Sequence, residues 1–145
     1  MGNSINLFSK YFLMAIVVQL CIVYFFSGLH KLQGEVWRDG TALYYILNSD
    51  DFSPTAFNSF FTSFIWLVKL CSWTTIVFQL TFPIFVFIQK TKKWIILIGI
   101  LLHIAIFFMM KIDNFSLLMI SCYAIFFSDK QYKKLLTNLK IKNYD

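Results

Sequence analysis

"YFLMAIVVQLCIVYFFSGLHK", Tyr11 to Lys31, decides the fold. From Tyr11 to Leu29 it is apolar, broken only by Gln19, Ser27 and Gly28. A helix rising ~1.5 Å per residue crosses the hydrocarbon core of a bilayer with roughly 20 such residues. We read a membrane span. Lys10 precedes it, but no small-residue cleavage site follows, so a retained span is expected rather than a secretory leader.

The rest of the chain has the same character. It is 59% hydrophobic and 14% charged, with 18 phenylalanines in 145 residues, too few polar groups to clothe a water-soluble domain. The formal charge of +6 does not mark a nucleic-acid binder, because the lysines cluster between and after apolar runs, as membrane-flanking charge does. Cys21, Cys71 and Cys122 lie inside apolar runs without metal-ligand spacing, so free buried thiols and no metal site are expected.

Outward from the first span, His30 to Phe57 is a polar connection in which Thr41 to Leu47 suits a short interfacial helix. In "SDDFSPTAF", Ser53 suits a helix cap and Pro54 a first helical turn. Phe60 to Ile88 is too long for one perpendicular span. Lys69 is expected to divide it into an interfacial or re-entrant helix and a second span over Leu70 to Ile88, kinked at Pro83. "QKTKK", Gln89 to Lys93, reads as a basic turn, and Trp94 to Met110 as a third span. Phe115 to Phe127 is a fourth, shorter apolar run that crosses if the bilayer thins around it.

The expected fold is an all-α membrane protein of about four transmembrane helices with one or two interfacial or re-entrant helices. Residues 1–128 form its single domain and 129–145 a lysine-rich cytoplasmic tail. Nine lysines fall on the side of the termini and the QKTKK turn, against four basic residues on the other, which predicts both termini in the cytoplasm.

Few polar groups sit at membrane depth. Lys31 has two readings. A span-end lysine can snorkel its ammonium to the headgroups; a lysine amine in its neutral form is a general base. Gly28, one turn earlier, lets another helix approach. His30 is about 100° round the helix from Lys31, so the two cannot point the same way. His103, inside the third span, is suited to an interhelical hydrogen bond or a proton shuttle, with Gly99 one turn before it permitting close packing. Gln79 reads as an interhelical amide. Trp37, Trp66, Trp73 and Trp94 fit an interfacial aromatic belt.

"YFFSGLHKLQGEVWRDGTALYYIL", Tyr24 to Leu47, resembles the signature of the HTTM family, the transmembrane domain of vitamin K-dependent gamma-carboxylase and its bacterial relatives. The matching positions are Tyr24, Gly28, Lys31, Leu32, Trp37, Gly40 and the aromatic run Tyr44 to Leu47. "FQLTFPIFVF" and "GILLHIAIFFMMKIDNFSLLMISCYAIFF" look like the family's later spans, with His103, Phe115, Ser116 and Ile125 to Phe127 at its fixed positions.

The resemblance implies that Lys31 is the base that deprotonates a reduced, vitamin K-like quinone. It places Tyr24, Gly28, His30, Trp37 and His103 at the substrate and cofactor pocket, on the outer face of a bacterial cytoplasmic membrane. It further implies that the chain corresponds to the C-terminal half of the family's membrane domain, with Gln79 where the family usually carries an acid. The expected partners are the lipid bilayer and a secreted peptide, a missing N-terminal half or a second copy of the chain. One branch of the family belongs to a sporulation-delaying toxin system, in which the membrane protein helps mature a secreted peptide without known carboxylation. An enzyme and a non-enzymatic partner therefore stand side by side as expectations, with a DoxX-like quinone-associated protein as a further alternative.

Overall fold

The computed structural model of the chain describes residues 2–52, 55–127 and 137. Its order is α1 (Gly2–Gln33), α2 (Glu35–Arg38), α3 (Ala42–Leu47), a 3-10 turn (Asp50–Phe52), α4 (Ala56–Thr62), α5 (Ile65–Phe85), α6 (Gln89–Met110), α7 (Asp113–Tyr123) and a closing 3-10 turn (Ala124–Phe126). The architecture is all-α, with no strand among the described residues. Three apolar helical stretches are long enough to cross a bilayer: Phe8–Gln33 within α1, α5 and α6. The fourth apolar stretch, Asp113–Phe126, is about 20 Å long at ~1.5 Å per residue, well short of the ~30 Å hydrocarbon core.

Only 17%, 33% and 22% of the apolar windows of the three long helices are buried by the protein itself. Phe12, Trp66, Trp94 and Phe108 face outward. Water would make so much exposed apolar area costly; lipid chains remove that cost. What is buried is a narrow seam of Leu20 and Tyr24 from α1, Phe78 and Phe82 from α5, Ile95 and Ile96 from α6, and Met119 and Tyr123 from α7.

The breaks between helices differ from expectation in two places. The long apolar stretch divides at Ser63–Phe64, and α5 runs unbroken through Lys69. The Ser63 hydroxyl donates to the Phe60 carbonyl at 2.7 Å and Thr62 to that of Ser59 at 3.2 Å, so side chains take carbonyls at the end of α4. Lysine is a good helix former, and Lys69 lays its stem against Gly40. Gln89 to Lys93 form the opening of α6 rather than a turn. Thr91 stitches this junction by donating to Phe85 O at 2.9 Å, a carbonyl at the end of α5. Pro83 sits in the last turn of α5, where its missing N–H costs one hydrogen bond before the helix ends anyway.

Thr55 caps α4, its hydroxyl oxygen accepting from Asn58 N at 3.3 Å. Ser53 and Pro54, expected to start this helix, lie outside the described residues, as does most of the 129–145 tail.

Two glycines set close approaches. A Cβ on Gly28 would stand 2.9 Å from Leu80 Cγ and Cδ2, so α1 and α5 meet closely here. Gly40 has φ +77° and lies under Lys69, whose Cα would be 3.1 Å from an added Cβ. Gly40→Ala incurs both left-handed backbone strain and a clash, and is expected to cost about 1–3 kcal/mol, read as a lower unfolding temperature in detergent.

Candidate functional site

A cavity of about 610 Å³ opens between α1, α3, α5, α6 and α7. Cavities of roughly 300–1,000 Å³ hold drug-sized or cofactor-sized molecules. Its wall is mostly aliphatic and aromatic, from Val23, Leu43, Ile46, Leu70, Leu102, Ile106, Phe115 and Met119 among others. Into it come several polar side chains, Tyr24, Ser27, Lys31, Thr74, Thr75, Gln79 and His103. Tyr24 and Lys31 are seven residues apart on α1, nearly two full turns, so they share a face and lie about 10 Å apart along its axis.

At one end is Lys31. Its ammonium stands 4.9 Å from the centroid of the Trp37 ring, a cation–π contact. Trp37 reaches this position because α1 ends at Gln33 and the short α2 turns the chain back over it. Trp73 anchors that turn from α5, its indole Nε1 donating to Arg38 O at 3.0 Å.

At the other end is a buried hydrogen-bonded chain. The Tyr24 hydroxyl lies 2.8 Å from His103 Nε2 and bonds also to the hydroxyl of Tyr123. Tyr24, His103 and Tyr123 are 2%, 2% and 1% exposed, so each proton here needs a partner inside the protein. Suppose His103 donated from Nε2 and Tyr24 passed its own proton to Tyr123. The Tyr123 proton would then have no acceptor among the described residues, and His103 Nδ1 would be a bare acceptor. The opposite order, Tyr123 to Tyr24 to Nε2, leaves one group unmet: an Nδ1–H donor. We assign that order. Phe115 stands edge-on to the His103 ring at 5.5 Å.

Gly99 makes the chain possible. A Cβ there would fall on the Tyr123 hydroxyl, so only glycine leaves room for it. Gly99→Ala is expected to push Tyr123 out of the chain, leave buried hydroxyl groups unpaired, and cost about 1–3 kcal/mol. The check is thermal unfolding, with Gly99→Ala in a Tyr123→Phe background recovering part of the loss.

Of the residues expected at the pocket, Tyr24, Lys31, Trp37 and His103 line one cavity, and Gly28 packs behind it against Leu80. His30 does not join them. It is exposed on another face of α1, as the ~100° step from Lys31 requires. Gln79, expected to bond a neighbouring helix, instead faces the cavity, and its Oε1 is buried without a hydrogen-bond partner among the described residues. Trp66 and Trp94 are exposed, as an aromatic belt needs. Ser116 is fully buried, and its hydroxyl has no hydrogen-bond partner among the described residues.

Two residues had no reading in sequence. Tyr123 lies in a run of bulky apolar residues where nothing marks its hydroxyl as used. Asn58 is fully buried, and its Nδ2 donates to Leu47 O at 3.3 Å and Met109 O at 2.9 Å. Those carbonyls end α3 and α6, so one amide closes two helix C-termini at the edge of the cavity. Its place three residues after Thr55, a capping spacing, was the available signal.

Apolar helices of spanning length around a buried polar seam define an integral membrane protein. The chain belongs to the HTTM domain family, which matches residues 3–130. It is 30% identical over 125 residues to the uncharacterized protein YitO of Bacillus subtilis (strain 168), covering 81% of this chain and 38% of that protein. It is 28% identical over 127 residues to the sporulation-delaying protein SdpB of the same organism, covering 80% of this chain and 37% of that protein. The chain thus spans well under half the length of these curated relatives. No solved structure matches it.

Proposed function

We propose that the chain binds a quinone-like lipid in this cavity and uses Lys31 as a base toward it, in the service of modifying a secreted peptide at the outer face of a bacterial cytoplasmic membrane. One observation carries the reading: Lys31 and Trp37, from the end of α1 and from α2, and His103, from α6 much further along the chain, line a single cavity of about 610 Å³ whose wall is mostly apolar. That combination suits a flat aromatic headgroup with polar substituents. His103 and Gln79 are further polar side chains in the wall of the cavity.

A reduced quinone would supply, when bound, an acidic hydroxyl and, with oxygen, the oxidation that drives base formation. The protein's part is to bind, orient and shield. Trp37 holds Lys31 at the cavity wall while the Lys31 ammonium is charged, and that hold loosens when Nζ loses its proton. The Lys31 Nζ, in its neutral form, takes the ligand's hydroxyl proton. The aliphatic wall excludes water, which strengthens polar interactions inside. Charge bias supports an orientation with the N-terminus and the α5–α6 junction in the cytoplasm and the connection from α1 to α5 outside; the C-terminus returns to the cytoplasm where the bilayer thins enough for Asp113–Phe126 to cross.

The test is oxygen uptake by the protein in lipid nanodiscs supplied with 2-methyl-1,4-naphthohydroquinone. Uptake above that of empty nanodiscs, and dependent on Lys31, is the expected result; uptake equal to empty nanodiscs excludes the base reading.

The likeness to SdpB supports a second reading, in which the chain assists peptide maturation as a partner without bond-making chemistry. Under it, changes at Glu35, Arg38 and Asp39 weaken partner binding, whereas Lys31→Arg is silent.

A further inference from the structure

We propose that the end of the molecule away from Lys31 carries a seat for an anionic phospholipid, formed by Lys90, Lys93 and Trp94 on the lipid-facing side of α6.

Depth comes first. α5 ends at Phe85 and α6 begins at Gln89, so no polar loop lifts this junction into water. Within it Phe87 and Ile88 are 61% and 43% exposed, which lipid tolerates and water does not. Lys93 and Lys111 bracket α6 and stand about 27 Å apart along it at ~1.5 Å per residue, close to the ~30 Å hydrocarbon core. Lys10 and Lys31 stand about 32 Å apart along α1 in the same way. Each helix therefore puts a lysine at each row of headgroups, and Lys90 and Lys93 reach the phosphates on the side opposite Lys31.

Direction comes second. Lys90, Lys93, Trp94 and Leu97 follow the i, i+3, i+4, i+7 spacing of one helix face, and all four are exposed. Lys92 points elsewhere, its Nζ 5.9 Å from the centroid of the Phe126 ring. The outward face thus offers two ammonium groups, then an indole, then an aliphatic side chain. A phospholipid presents its phosphate, glycerol and acyl chain in the same order.

Charge identifies the kind of lipid. The sequence has no Asp or Glu before Glu35 and none between Asp51 and Asp113. Glu35, Asp39, Asp50, Asp51 and Asp113 all belong to segments at the Lys31 end. Two like charges one turn apart repel each other, and no acidic side chain among the described residues lies at this end to neutralise them. A headgroup with net negative charge does so. A zwitterionic headgroup brings a cation along with its phosphate.

The probes are phosphatidylglycerol and phosphatidylcholine with brominated acyl chains, each mixed at equal mole fraction into phosphatidylcholine vesicles holding the full chain. Bromine quenches a tryptophan only on near contact. Of the four tryptophans, Trp37 lies in α2, Trp66 at the start of α5, and Trp73 bonds Arg38, so Trp94 alone is at this end. Its signal is the difference between wild type and Trp94→Phe. Phosphatidylglycerol is expected to quench that signal as if enriched about 25-fold over phosphatidylcholine, about fivefold for each lysine. Lys90→Gln with Lys93→Gln should abolish the enrichment. Lys69→Gln with Lys111→Gln removes the same charge at the other end and should leave it intact. Equal quenching by the two lipids overturns the proposal, as does an enrichment that falls as far in the Lys69 and Lys111 variant, which would mean general attraction. Loss of the enrichment on adding inorganic phosphate at constant ionic strength would mean that the lysines take a free anion, and overturns the lipid seat.

Discussion

Lys31→Arg is expected to reduce oxygen uptake with 2-methyl-1,4-naphthohydroquinone to the rate of empty nanodiscs, a loss of about 10²- to 10⁴-fold in the catalysed rate. Arginine keeps the positive charge and the stem, and its guanidinium stacks on an aromatic face at least as well as an ammonium, so the contact with Trp37 survives. What it cannot do is give up its proton in a protein, so it cannot act as a base. Probe binding should change only a few-fold while turnover disappears. A snorkelling anchor or a partner-binding surface would tolerate the same change, because both need charge rather than basicity. The substitution therefore separates the chemical reading from the structural ones by direction as well as size.

Asn58→Asp is expected to be the most damaging change outside the cavity's polar groups. The side chains have nearly the same shape, so packing is preserved. Two donors are lost, however, and the Leu47 and Met109 carbonyls would then face an acceptor in a site with no solvent. Two unsatisfied buried carbonyls and a carboxylate pressed against them should cost about 2–4 kcal/mol. Asn58→Leu, which removes the donors without adding charge, should cost less. Leu47 and Met109 also line the cavity, so ligand affinity should drop with stability. Thermal unfolding ranks the three proteins, and equal stability of wild type and Asn58→Asp would contradict the double-cap account.

Much of this molecule was legible before any coordinates. Length and polarity located the α1, α6 and α7 apolar stretches, because the bilayer imposes one length and one chemistry on anything that crosses it. Gly28 and Gly99 were readable as close approaches, since few other reasons place glycine inside an apolar helix. The Gly28–Lys31–Trp37–Gly40 order carried the family, and Gly40 gains a physical reason in its positive φ beneath Lys69.

Other features were hidden for definite reasons. The break at Ser63 depends on hydroxyl groups taking carbonyls, a competition whose outcome no single residue announces. The charge on Lys69 looked like a boundary, yet its stem packs within a continuous helix. Tyr123 and Tyr24 form a pair across 99 residues, and aromatic residues are too common in this chain for one hydroxyl to stand out. Gln79 was read as an ordinary interhelical amide because sequence shows which groups are polar, but not which of them lack partners.

The most direct measurement is quenching of tryptophan fluorescence by 2-methyl-1,4-naphthoquinone, for the wild-type protein and Trp37→Phe in nanodiscs. Trp37 lines the cavity beside Lys31, while Trp66 and Trp94 face outward. If the cavity is the quinone site, wild type shows a saturable component that Trp37→Phe lacks, above a linear background from the other tryptophans. Quenching that is linear throughout and proportionally the same in both proteins would mean that the quinone meets this chain only from the lipid, and the account would be wrong.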